Sequence, residues 1–105
     1  VTSTAEYLAD PELLATEWDL APLVGGDDPG GVQQLLDAAT ERAERFAAAH
    51  SGGVAALGAD GLRAAMRELG EIEDLVGKAA SYASLRFSTD TADPARGALL
   101  QQMQE

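Results

Sequence analysis

The residues of this chain that could do chemistry are one histidine, a set of carboxylates, a Ser/Tyr cluster and two glycine-rich runs. His50 is followed by Ser51, Gly52 and Gly53. A zinc-peptidase helix needs two histidines one turn apart with a glutamate beside the first, and that pattern is missing here. His50 reads instead as a polar residue in a last helical turn, where the helix dipole favours it. Glu41, Glu44, Glu68, Glu71, Glu73 and Asp74 could suggest a metal site inside a bundle. Such a site needs inward glutamates and a Glu-x-x-His pair, and no glutamate here has a histidine three residues on. These carboxylates therefore read as a solvated face, and a metal-storing bundle is disfavoured. Ser81, Tyr82 and Ser84 have no histidine to activate them, and a nucleophile needs a base within hydrogen-bond reach. The runs GGDDPGG and SGG lack the Lys-Ser/Thr of a phosphate loop, and Asp27 and Asp28 would repel phosphate. They read as turns and caps. No catalytic residue and no metal ligand is assigned to this chain, which as it stands reads as a non-enzyme.

Bulk properties narrow the partners. The formal net charge is −11 over 105 residues. Phosphate backbones need a basic footprint, so nucleic acid is not expected as a partner, and an anionic membrane surface is disfavoured for the same reason. No cysteine is present, which excludes disulfides and thiolate metal sites. The opening VTSTAEYLADP has no basic region ahead of an apolar one, so it does not read as a signal peptide. No run approaches the ~18 apolar residues of a membrane span. A cytoplasmic location is the expectation. The chain starts with Val and stops inside LLQQMQE, which reads as a segment of a longer protein.

The elements that position these residues are expected to be helices, because the apolar content is mostly Ala and Leu. Asp10-Pro11, Asp28-Pro29 and Asp93-Pro94 each place a capping carboxylate before a proline suited to a first helical position. Asp60-Gly61 gives a weaker start. A short first helix is expected from Pro11 to about Glu17, with Leu13 and Leu14 inward. A second is expected from Pro29 to about His50, with an apolar stripe of Val32, Leu35, Leu36, Ala39, Ala43, Phe46 and Ala47. A third begins at Asp60 and ends near Ser88 to Thr91. Its inward residues would be Leu62, Ala65, Met66, Leu69, Ile72, Val76, Ala79, Ala80, Ala83 and Phe87, with a bend or break near Gly70. A fourth starts at Pro94, with Ala95, Ala98, Leu99 and Met103 inward. Trp18 and Phe87 are expected as core anchors, and Tyr82 at the boundary with its ring packed and its hydroxyl wet. The expected fold is all-α: an antiparallel array of about four helices forming a single module over 1–105.

Three stretches then carry a likeness. Trp18-Asp19-Leu20-Ala21-Pro22-Leu23 resembles the Trp-Asp-Leu-x-x-Leu opening of oligoendopeptidase F-type enzymes, which are thimet-oligopeptidase-like zinc peptidases. The second stretch is Ala43 to Phe46, followed by the His-Ser-Gly-Gly break and Leu62-Arg63-Ala64-Ala65-Met66. The third and most specific runs from Ser81 through Tyr82 and Phe87 to Thr91, leading into Asp93-Pro94. They occur in the family's order, whereas the Gly/Asp-rich stretch 25–31 departs from its pattern.

The resemblance implies a helical, non-catalytic N-terminal wall of a channel that admits oligopeptides. Zinc and its His-Glu-x-x-His helix would lie in a downstream catalytic domain, and no zinc ligand transfers to this chain. The implied partners are that catalytic domain and, through the whole enzyme, short peptides. Tyr82 and Phe87 are the candidate channel or interface contacts. A piece of a larger protein leaves apolar surface uncovered, so a homodimer through the third and fourth helices is also expected. The alternative is a stand-alone acidic helical interaction module.

Overall fold

The computed structural model describes residues 4–25 and 29–105, which are predominantly helical with no strand among them. Two short helices, α1 (Thr4–Ala9) and α2 (Pro11–Leu14), open the chain and pack on each other. Asp10 caps α2 as expected: its Oδ1 accepts from the Glu12 amide at 2.9 Å, and Pro11 takes the first helical position. α2 stops at Leu14, shorter than the expected run to Glu17, and α1 had no counterpart among the expected helices. Asp19 opens the next turn, α3 (Ala21–Val24), by accepting from the Ala21 amide at 3.1 Å. Gly25 closes α3 at φ 72, a left-handed conformation that glycine adopts without a Cβ clash. The cap expected at Asp28 lies outside the described residues.

Two long helices form the frame. α4 (Pro29–His50) gives way to a turn at Ser51 to Gly53, with Gly52 at φ 75, and a 3₁₀ turn (Val54–Ala56) leads into α5 (Ala59–Thr89). Because α5 begins one residue before Asp60, that carboxylate sits in the first turn, where the dipole favours it. α5 continues without a break through Gly70 and Gly77, so the break expected near Gly70 is absent. At ~1.5 Å per residue it is about 46 Å long. Arg42 on α4 forms an ion pair with Glu71 on α5, so the short connection folds the two helices back on each other as a hairpin. α6 (Pro94–Gln104) starts at a second Asp-Pro cap, with Asp93 Oδ1 accepting from the Ala95 amide at 2.9 Å, and packs on the last part of α5.

The core sits at one end of this frame. Leu20, Val24, Val32, Ala79 and Tyr82 form it, with Leu23, Leu35, Leu36, Leu99 and Met103 packed around them. It therefore joins α3, the first half of α4, the second half of α5 and α6. Val32 is 1% exposed, and burying such a side chain contributes ~1.5–3 kcal/mol. Gly31 is what lets α3 approach α4: a Cβ there would stand 2.7 Å from the Val24 carbonyl oxygen. Among the described residues, the other half of the hairpin is built mainly from its own two helices. The radius of gyration is 19.8 Å and the extents are 66 × 32 × 20 Å, whereas a compact domain of this length has a radius near ~13 Å.

Several expected core positions lie outside that core. Leu13 and Leu14 are exposed, because α2 packs on α1 instead of covering the frame. Trp18 is 79% exposed and anchors nothing; Leu20, two residues on, enters the core in its place. Ala43 and Ala47 on α4, and Leu62, Met66 and Val76 on α5, are exposed where no third helix lies over them. Tyr82 goes the other way. At 2% exposed it lies in the core rather than at its boundary, because α3 and α6 close over that part of α5.

Candidate functional site

A concavity lies where the segment after α2 passes the junction of α5 and α6. It holds about 480 Å³ and is lined by Leu14, Glu17, Trp18, Leu20, Arg86, Thr89 and Arg96, among others. Three sequence features place these groups. The Trp18-Asp19-Leu20 stretch spans the gap between the capped helices α2 and α3. Arg86 and Thr89 lie in the last turn of α5, where cations are favoured by the dipole. The Asp93 cap fixes the entry of α6 and so the position of Arg96.

Arg96 joins the two helices. Its Nη1 donates to the Arg86 carbonyl oxygen at 3.1 Å and to Thr89 Oγ1 at 2.7 Å. The Thr89 hydroxyl itself donates to the Arg86 carbonyl oxygen at 2.8 Å. These bonds satisfy one of the carbonyls that a helix end leaves without an intrahelical partner. Arg96 Nε lies 3.3 Å from Asp93 Oδ2, an ion-pair distance without an aligned hydrogen bond. The guanidinium is thus committed to holding the α5–α6 corner.

Trp18 and Leu20 also face Leu85, Ser88 and Thr89 across a smaller apolar hollow of about 130 Å³. Two stretches more than sixty residues apart in sequence, 18–20 and 85–89, therefore meet on one face. Sequence reasoning named both stretches but had no signal that they would touch. Of the two residues singled out as candidate contacts, Tyr82 is buried in the core. Phe87 is half-buried against α6, its ring edge 3.8 Å from where a Gly97 Cβ would stand.

The chemistry-bearing residues are dispersed. His50 lies at the far end of α4, its ring tilted against Phe46 with centroids 4.7 Å apart. Glu41 pairs with Arg45, and Asp74 with Lys78, each along its own helix. Among the described residues, no group of three His, Cys, Asp or Glu side chains is placed to hold a metal ion. No helix among them is long and apolar enough to cross a membrane. No protein-family model, curated protein or solved structure matches this chain.

Proposed function

We propose that this chain is the helical, non-catalytic N-terminal part of a zinc oligopeptidase, where it helps to shape the channel for short peptides. In this reading α4, α5 and α6 are the main helices of an antiparallel array, with α2 as its short first member. Zinc and the catalytic groups belong to a downstream domain of a cytoplasmic enzyme. The observation that carries the reading is the meeting of the 18–20 and 85–89 stretches. These come from two of the three segments that resemble oligoendopeptidase F-type enzymes, and together they present Trp18 and Leu85 outward beside an apolar hollow. Trp18, Leu20 and Leu85 border the same apolar hollow, and a contiguous apolar surface of this kind suits a contact with another domain. The catalytic domain is the proposed cover.

The test has two parts. The coding sequence beyond Glu105 should contain a His-Glu-x-x-His segment, and the longer product should cleave a quenched fluorescent peptide in a chelator-sensitive way. The present chain with added zinc should not. Trp18→Ala in the longer product should lower cleavage by weakening the contact between the two parts. Chelator-sensitive cleavage by the present chain alone would overturn the reading, as would a downstream sequence lacking the zinc motif. A stop codon soon after Glu105 would favour an acidic helical interaction module instead.

A further inference from the structure

We propose that the outer half of the α4–α5 hairpin is a homodimer contact, in which the side carrying Leu62 and Met66 packs on the same side of a second copy about a two-fold axis. This does not rest on the peptidase reading. The side is defined by helix geometry. On α4, Arg42 faces α5 through its ion pair with Glu71, Phe46 lies one turn on and is half-buried, and Ala43 and Ala47 each lie one residue further on and are exposed. On α5, Ala65 is buried, Gly61 lies one turn before it and is half-buried, and Leu62 and Met66 each lie one residue further on and are exposed, Met66 by 60%. One residue is a turn of about 100°. In two helices running in opposite directions, that turn leads to the same side of the pair. Ala43, Ala47, Leu62 and Met66 therefore form one patch: small on α4, large on α5. Further along α5, the core end of the frame is where α6 packs. The patch lies beyond its reach.

Charge selects the occupant. Arg42 pairs with Glu71, so the two helices are level there and the tip spans residues 41–72. Four of the seven cations (Arg42, Arg45, Arg63, Arg67) and five of the eighteen carboxylates (Glu41, Glu44, Asp60, Glu68, Glu71) fall within it. The hairpin tip is therefore nearly neutral, at −1, and −10 of the net charge of −11 belongs to the rest of the chain. Side-by-side pairing along the full length would set two such acidic surfaces against each other. Pairing of the tips alone sends the acidic ends in opposite directions on molecules 66 Å long. The far ends of the two molecules then lie well beyond the Debye length of ~8 Å at physiological salt. Two hairpins joined this way make a short four-helix packing of the kind two-helix proteins use. The patch is small, so the dimer is a weak one that forms as protein concentration rises.

Sedimentation equilibrium of the full chain across a wide concentration range should show a monomer–dimer equilibrium. Leu62→Glu with Met66→Glu should weaken it at least tenfold while the helical circular dichroism is kept. The chain has no cysteine, so Met66→Cys gives a single thiol at the patch. A short bismaleimide should link two such chains rapidly. The same reagent should link Ala98→Cys far more slowly; Ala98, like Ala95, was expected inward but lies on the exposed side of α6, where Leu99 and Met103 make the contact with the core. The cross-linking comparison decides the matter even if the double glutamate variant does not fold. A monomer at every concentration, or linking of Ala98→Cys as fast as Met66→Cys, would overturn the proposal.

Discussion

Single side chains in this molecule differ sharply in what they hold. Trp18 and Tyr82 show the contrast, since the larger ring lies in water and the smaller one in the core. Trp18→Ala should shift the denaturant midpoint very little, within the ~0.5 kcal/mol typical of surface changes. Tyr82→Ala should cost ~3–5 kcal/mol, the range for losing a buried aromatic ring. Trp18 is the chain's single tryptophan, so its emission offers a direct check: it should be solvent-relaxed and readily quenched by acrylamide. Gly31 is a third case. An added methyl group would press on the Val24 carbonyl oxygen and side chain, so Gly31→Ala should destabilise by ~1–3 kcal/mol in the same denaturation experiment. Hydrophobicity alone misplaces Trp18, because apolar residues are free to lie outside as well as inside. Tyr82 was misplaced for a different reason: its position on α5 says nothing about which other helices will close over it.

The helices themselves were the most legible part. Asp10-Pro11 and Asp93-Pro94 mark two helix starts through a local hydrogen bond, and local chemistry needs no tertiary information. Asp93→Ala should therefore cost ~1 kcal/mol, and it also frees Arg96, so the α5–α6 corner should loosen in hydrogen exchange. The extent of α5 was less legible. Gly70 and Gly77 lower helix propensity, but they sit in a helix held along much of its length by α4, and packing outweighs the local penalty. Neither glycine is needed for space, since an added Cβ would meet nothing within 4 Å. Gly70→Ala and Gly77→Ala should each raise stability by ~1 kcal/mol, read as a higher thermal midpoint. The short α1 carries no apolar stripe long enough to read as a period, which is why the sequence did not announce it.

At the scale of the whole molecule, the apolar pattern of α5 explains both what was foreseen and what was not. Its apolar positions form two adjacent stripes, one through Ala65, Ile72 and Ala79 and one through Leu62, Met66 and Val76. Periodicity shows that both avoid polar residues. It cannot show that α4 covers the first along its length while the second is left open toward the hairpin tip. The candidate site was legible only in part for the same reason: its segments could be named, but their meeting depends on how α2, α3 and α6 are set against α5. Stability should accordingly be uneven. Amides of α5 near Ala79 should exchange with solvent much more slowly than those near Leu62, because the core lies at one end only.

The length of the body has a hydrodynamic consequence. A particle 66 Å long and 20 Å thick meets more friction than a sphere of the same 10.9 kDa mass. On a sizing column a single chain will therefore elute ahead of globular standards of its own weight, easily mistaken for a pair. Light scattering or a sedimentation measurement, which weigh the particle instead of timing its passage, are the means to tell one rod from two.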